Sequence, residues 1–204
     1  MSESKIHMRR SKIMEYIDKS GGTVRANEAV RDGVSRQMLS SLTEQGLLVR
    51  EAPGVYSTPN AAFDDLFVLQ RRDPRIVFSH ETALYLHNMA ERTPTAHSVT
   101  IPSSKRLSPQ IKRECKVYYV KDELFGMGVT EVPSRLGHTV RAYNVERTVC
   151  DILRNRNRID SQTVTAALRN FAALPTKDIG KLGEYAEKFG VLALARKYLE
   201  VLLP

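Results

Sequence analysis

The chain has 204 residues, 42% of them hydrophobic and 26% charged, which is ordinary for a globular protein of one large domain or two modest ones. Its formal net charge of +8 suits a polyanionic partner such as nucleic acid. The N-terminus has no apolar signal segment, and the longest apolar run, residues 191–195, is far shorter than the roughly 20 residues that span a bilayer. A cytoplasmic protein without membrane contact is therefore expected.

Residues 9–58 predict a winged helix-turn-helix. A helix over 10–19 ends at a glycine pair, and a second helix over 25–31 ends at Asp32-Gly33. Ser35 can cap the third helix with its hydroxyl, and Gly46 ends that helix. The alternating apolar residues from 47 to 56 then predict a hairpin around Pro53-Gly54, which would be the wing.

The third helix is predicted to read DNA. At about 100° per residue, Met38, Leu39 and Leu42 share the inner face, whereas Arg36, Gln37, Ser40 and Glu44 lie opposite and Ser41 lies at the margin. In the major groove Arg36 can bind guanine, Gln37 can bind adenine, and the serines can contact phosphate or base. Two arginines in neighbouring elements suit backbone phosphates. The predicted DNA-binding residues are Arg25, Ser35, Arg36, Gln37, Ser40, Ser41 and Arg50. A winged helix used only for protein contacts is the alternative.

Thr58-Pro59-Asn60 predicts a boundary between a DNA-binding domain, residues 1–58, and a second domain, residues 59–204. Asn60 is expected to cap a helix over 61–71 with Phe63, Leu66 and Phe67 inward. Short strands are predicted at 76–78, 97–101, 117–120, 129–132 and 139–143, and Ser79 is expected to cap a helix that runs to about Ala90. From Asn144 onward the apolar spacing is helical. The predicted fold class is α+β, a winged helix-turn-helix followed by a mixed α/β domain with a helical C-terminal bundle.

No catalytic residue, metal site or cofactor is predicted, and the protein is expected not to be an enzyme. His80 and His87 fall near one helical face and could share a metal, but the HExxH motif needs its histidines four residues apart. The turn of a Ser-His-Asp hydrolase and the GxxxxGK loop are absent, and Glu146 and Asp151 point differently on a helix, which argues against a nuclease. Cys115 and Cys150 have no metal or redox spacing, so free thiols or a single disulfide both fit.

Basic residues cluster beyond the predicted winged helix. Residues 135–158 contain six arginines and no lysine, and a basic loop precedes them at 103–116. The arginine guanidinium favours phosphate or carboxylate partners, although the spacing of Arg147, Asp151 and Arg154 is explained equally well by an ion-pair row within a helix. The loop alone is typical of a solvated surface. The candidates for a second binding surface are Lys105, Arg106, Arg135, Arg141, Arg147, Arg154, Arg156 and Arg158.

The order of these elements over residues 9–160 resembles the AbiEi-type antitoxins of type IV, abortive-infection toxin–antitoxin operons, which serve phage defence. The resemblance rests on the winged helix, Phe78–His87, Val99–Pro102, and 143–160 with Arg147-Thr148-Val149-Cys150-Asp151.

The resemblance implies a bifunctional protein. The winged helix would repress its own operon by binding inverted repeats in promoter DNA, with two copies on the operator. The second domain would counteract a nucleotidyltransferase toxin without a stable complex, and the eight basic residues would form the antitoxin surface or add phosphate contacts. Two alternatives stay open: a ligand-responsive winged-helix regulator, and an enzyme that uses His80 or His87.

Overall fold

A computed structural model describes residues 13–19, 21–60 and 64–202. The chain forms two compact units, divided between Pro74 and Arg75. The predicted α+β class is confirmed: helices and a small antiparallel sheet come first, then a mixed sheet, then helices. Among the described residues no helix has both the length and the apolar composition that a membrane span requires.

The first unit has a helix-turn-helix packed on a three-stranded antiparallel sheet. Its core includes Ile17 of the first helix, Val24, and both Leu39 and Leu42 of the third helix, all nearly inaccessible to solvent. The sheet order is β1-β3-β2, so the predicted hairpin gains an additional strand. In chain order the elements are α1 (described over residues 13–19), β1 (Thr23–Arg25), α2 (Ala26–Arg31), α3 (Arg36–Glu44), β2 (Val49–Ala52), β3 (Val55–Ser57) and α4 (Asp65–Arg72).

Two predicted boundaries in this unit are wrong. Arg25 does not begin a helix: it is the last residue of β1, pairs with Val55, and has extended backbone angles. Asn60 does not cap α4, because Asp64 does so by accepting a hydrogen bond from the Phe67 amide at 3.1 Å. The start of the predicted first helix, residues 10–12, and Phe63 lie outside the described residues. The unit extends to Pro74 and includes α4, which was predicted to open the second domain.

The second unit is built on a five-stranded mixed sheet in the order β6-β5-β4-β8-β7. The pairs β4–β8 and β5–β6 are parallel, and β4–β5 and β7–β8 are antiparallel. The elements are β4 (Val77–Phe78), α5 (His80–Leu86), β5 (His97–Pro102), α6 (Pro109–Glu114), β6 (Cys115–Val120), α7 (Asp122–Phe125), β7 (Val129–Pro133), β8 (Thr139–Tyr143), α8 (Val145–Arg154), a 3-10 turn (Arg156–Arg158), α9 (Ser161–Ala173), α10 (Ile179–Lys188) and α11 (Leu192–Leu202).

Helix α8 is the centre of the second core. It packs against α5, α9, α10 and α11, and its eight consecutive residues 146–153 are all buried. The predicted pairing of the strands near 129–132 and 139–143 and the helical C-terminal part are confirmed. Cys115 and Cys150 are free thiols.

Helix α5 is shorter than predicted, ending at Leu86 rather than near Ala90. The Ser79 side chain does not cap it, because the hydroxyl instead accepts a hydrogen bond from Thr100 Oγ1 at 2.8 Å. His80, at the start of the helix, has a left-handed backbone with φ of 48°. A non-glycine residue in that region is uncommon and is held there by its surroundings.

Candidate functional site

Helix α3 presents a polar face because its apolar residues anchor it from one side. Ser35 caps the helix as predicted, accepting a hydrogen bond from the Met38 amide at 3.1 Å. Leu39 and Leu42 are buried in the core of the first unit. Burial of these two side chains fixes the rotation of the helix about its own axis, which leaves the opposite side in solvent.

The exposed side of α3 carries the predicted DNA-reading residues. Arg36, Gln37 and Ser40 are exposed, and Arg36 Nη2 donates a hydrogen bond to Asn27 Oδ1 at 2.8 Å. This contact links the face of α3 to α2 and orients the guanidinium. Ser41 is half-buried, and its hydroxyl accepts a hydrogen bond from Gln45 Nε2 at 3.0 Å. Three of the four α3 side chains are therefore open to a partner, and the fourth is partly engaged within the helix.

The hairpin of β2 and β3 forms the wing, and it is tied to the helices at its tip. Gly54 turns the chain with a φ of 74°, and its carbonyl accepts a hydrogen bond from the Ala26 amide at 2.8 Å. Arg50 is exposed on β2 opposite Tyr56, and a bulge follows it before Ala52. Arg25 lies half-buried on β1 on the other side of β3. Both arginines therefore lie in the sheet, one on each outer strand.

The role of Asn27 at this face was not predicted from the sequence. Its contact with Arg36 joins residues nine positions apart on two different helices. Helical periodicity relates residues within one helix, so it carries no signal for this pair.

Arg147 is not part of an exposed surface, contrary to the prediction that placed it there. Its side chain is fully buried, with Nε 3.1 Å from both carboxylate oxygens of Asp151. Nη1 donates hydrogen bonds to the Leu124 carbonyl at 3.0 Å and the Met127 carbonyl at 2.8 Å. The aromatic rings of Tyr143 and Phe189 each lie 3.9 Å from the guanidinium. The ion pair predicted at this spacing is present, and it lies within the core.

The other second-unit candidates divide by exposure. Arg141 is half-buried on β8 and donates a hydrogen bond to the Ile76 carbonyl. Arg158 is exposed and lies 4.8 Å from the Tyr118 ring, and Arg135 is exposed 4.5 Å from the Tyr85 ring. The remaining candidates are also exposed: Lys105, Arg106, Arg154 and Arg156.

Arg154, Arg156 and Arg158 form what we call the arginine corner, the end of α8 and the 3-10 turn after it. All three are exposed, and a single residue separates each arginine from the next. Burial lowers the pKa of His80, and the positive charges of Arg147, Arg158, Arg154 and Lys116 (on β6) lower it further. Several cations therefore converge near one place on the second unit.

His80 is held as a neutral imidazole within the fold. Its ring stacks on Tyr118 with the centroids 3.5 Å apart, and burial lowers its pKa well below 6.5. Asn155 Nδ2 donates a hydrogen bond to the Asp151 carbonyl at 3.1 Å and also lies 3.0 Å from His80 Nε2, so Nε2 is the acceptor. His80 Nδ1 then carries the proton and donates it to Ser79 Oγ at 2.9 Å.

This arrangement does not resemble a hydrolytic site. A serine nucleophile needs a base that accepts its proton, whereas here His80 donates to Ser79. His87 is engaged elsewhere, since its Nε2 donates a hydrogen bond to the Tyr143 carbonyl at 2.7 Å. In the part of the chain that the structure describes, no three His, Cys, Asp or Glu side chains are grouped to hold a metal ion.

Comparison with known proteins finds a family model that is similar to the first unit. Residues 11–59 match the family model described as transcriptional regulator, AbiEi antitoxin. No curated protein sequence matches the chain.

Comparison of folds extends the likeness to nearly the whole chain. The RV2827C protein of Mycobacterium tuberculosis, known from a crystal structure, aligns with a TM-score of 0.55 and 14% identity. The alignment covers 93% of this chain and 80% of that one. At this identity the likeness shows a shared fold.

Proposed function

We propose that this chain, whose N-terminal unit carries the AbiEi antitoxin type of transcriptional regulator domain, is a cytoplasmic, non-enzymatic repressor of its own operon. It binds inverted repeats in promoter DNA, with one copy on each half-site. Arg36, Gln37 and Ser40 enter the major groove from α3, and Arg25 and Arg50 neutralise phosphates from the sheet.

The observation that carries this proposal is the exposed face of α3. Arg36 is oriented by Asn27 at 2.8 Å, and no large apolar side chain shares the outward side with Gln37 and Ser40. A protein-binding helix would place apolar anchors on that side. A polar face with a positioned arginine, beside a wing whose tip is tied to α2, instead suits the base edges and phosphates of a duplex.

A footprint on promoter DNA tests this proposal. The full chain is titrated onto about 200 base pairs upstream of its own gene, with an unrelated fragment of equal length as the control. We expect two protected segments related by inversion, about one or two helical turns apart. Equal protection of both fragments, or no protection at low salt by folded protein, would refute sequence-specific repression.

We further propose that the second unit counteracts a nucleotidyltransferase toxin through the arginine corner. Its exposed guanidiniums suit phosphate or carboxylate groups, and the proposal includes no stable complex with the toxin. The alternative role for the corner is added contact with promoter phosphates. The two roles differ in their dependence on salt, since each phosphate contact adds about 0.9 to the slope of log affinity against log salt.

A triple variant separates the two roles. Arg154, Arg156 and Arg158 are replaced by glutamine in the full chain, which removes charge from exposed positions. If the corner is the antitoxin surface, the variant loses protection of cells that express the proposed nucleotidyltransferase toxin, with an unchanged salt slope on promoter DNA. A slope lower by about 2 to 3 with full protection assigns the corner to DNA instead. If both readouts stay unchanged, the corner has neither role.

A further inference from the structure

A cavity of about 290 Å³ lies in the second unit between α5, the loop after it, and the start of α9. Ligand pockets in proteins run from roughly 300 to 1,000 Å³, so this volume suits a small metabolite rather than a nucleotide. Leu84, Met89, Ala90 and Ala166 supply its apolar part. The polar and charged residues of the lining then decide which chemical class can bind.

Two ion pairs border the cavity. Lys116 Nζ lies 2.9 Å from Glu81 Oε1, and Arg92 Nη2 lies 2.9 Å from Asp160 Oδ2. Asp160 also caps α9 by accepting hydrogen bonds from the amide and hydroxyl of Thr163. The carboxylates of Glu81 and Asp160 are thus engaged, whereas an ammonium has three donors and a guanidinium five. Spare donor capacity remains on Lys116 and Arg92.

A third carboxylate supplies spare acceptor capacity. Glu91 lines the cavity, is exposed, and has no hydrogen bond or ion pair within the part of the chain that the structure describes. The cavity therefore offers donors that fit a carboxylate, an acceptor that fits an ammonium, and an apolar wall. A zwitterion can pair with both sets at once, whereas a ligand of only one charge can pair with one of them.

The loop that forms one side of the cavity is anchored at its base. Asn170 Nδ2 of α9 donates a hydrogen bond to the Met89 carbonyl at 2.8 Å. Further along, the loop is held to α9 by Arg92 and Asp160, whose side chains are 68% and 47% exposed. Exposed ion pairs contribute little stability, so this side can open at low cost to admit a ligand.

From this geometry we infer that the second unit binds a small zwitterion with an apolar side chain, of the class of free aliphatic amino acids. The ligand carboxylate lies against Arg92 and Lys116, its ammonium against Glu91, and its side chain against Leu84 and Met89. This site uses none of the residues of the DNA-binding face or of the arginine corner.

Calorimetric titration of the full chain tests the inference. The probes are free L-leucine, L-isoleucine, L-valine and L-methionine. The analogues 3-methylbutylamine and 4-methylpentanoate each lack one charge of leucine. We expect at least one amino acid to bind and both analogues to bind at least tenfold more weakly than leucine. The inference is overturned if no amino acid binds at 10 mM, or if an analogue binds as well as leucine.

A matched pair of variants locates the site. Glu91→Gln removes the proposed ammonium partner from an exposed position, so the protein should fold normally, and we expect at least fivefold weaker binding of the best amino acid. Glu187→Gln makes the same change at an exposed position of α10 and should leave the affinity unchanged. Equal affinity of the Glu91→Gln variant and the unaltered protein would show that the amino acid does not bind here.

Discussion

Helices α3 and α8 are both amphipathic and both contain arginine, but Arg36 of α3 is exposed and Arg147 of α8 is buried. In α3 only Leu39 and Leu42 are buried, and Arg36 faces solvent. In α8 eight consecutive residues are buried, and Arg147 has no exposed surface. The difference shows that the chemistry of the surrounding groups, rather than residue type, decides whether an arginine binds a partner or supports the fold.

The surroundings of Arg147 explain how a charge can lie in the core. A buried guanidinium is costly unless it is paired and hydrogen-bonded. Asp151 supplies the opposite charge from the next turn, and the carbonyls of Leu124 and Met127 take further donors. The aromatic rings of Tyr143 and Phe189 add cation–π contacts. Among the residues that the structure describes, Arg36 has a single polar contact, with Asn27, so it keeps donors for an external partner.

The largest expected effect on stability comes from a substitution in α8. Arg147→Met leaves the Asp151 carboxylate buried without its cation, and we expect a loss of about 3 to 5 kcal/mol in the free energy of unfolding. Arg36→Ala, at an exposed position, should change that free energy by less than about 0.5 kcal/mol. Denaturant unfolding of the full chain, followed by circular dichroism, measures both.

A double variant is the control for that result. Arg147→Met combined with Asp151→Leu removes both charges, and it should be more stable than Arg147→Met alone because no charge then lies unpaired in the core. The structural role of Arg147 would be contradicted if the single variant lost less than about 1 kcal/mol.

A smaller effect is expected at Gly128, which packs on Arg147. A Cβ at Gly128, whose φ is 79°, would lie 2.7 Å from Arg147 Cβ. Gly128→Ala should therefore cost about 2 kcal/mol or more, since overpacking adds to backbone strain of about 1 kcal/mol. Gly137→Ala has a similar φ of 84° but meets nothing within 4 Å, so it should cost only the strain. Equal losses of unfolding free energy in the two variants would show that the contact with Arg147 does not affect stability.

The smallest effect concerns pH and the second unit. Burial keeps the pKa of His80 well below 6.5, so under acidic conditions the unfolded chain binds a proton that the folded chain does not. Stability is thus retained above pH 6.5 and lost below it, by about 1.4 kcal/mol between pH 7.5 and 5.5. His80→Asn, which tolerates the left-handed backbone, should remove this part of the pH dependence, whereas the contribution of His87 remains. Identical pH profiles of the two proteins would contradict a buried neutral His80.

Local rules predicted the parts of the fold that depend on neighbouring residues. The Ser35 cap, the burial of Leu39 and Leu42, and the hairpin around Gly54 all follow from helix capping, periodicity and turn chemistry. The polar face of α3, which we propose to read DNA, could be located from the sequence because a helix places it by the same periodicity.

Contacts between distant segments could not be predicted in this way. The strand Thr23–Arg25 exists because it pairs with β3, about thirty residues later. Arg147 and Asp151 could be paired from their spacing, but their burial depends on Leu124, Met127 and Phe189. The spacing of charges along a helix carries no information on what covers that helix.

The most direct test of DNA reading by α3 is the affinity of the full chain for its promoter DNA, measured by fluorescence anisotropy at one fixed salt concentration. The variants are Arg36→Ala and, as a matched loss of one exposed positive charge, Lys19→Ala on α1. We predict that Arg36→Ala weakens specific binding about fivefold or more, from a loss of about 1 to 3 kcal/mol, and that Lys19→Ala changes it less than about twofold. Equal affinity of the Arg36→Ala variant and the unaltered protein would contradict the assignment of α3 as the reading helix.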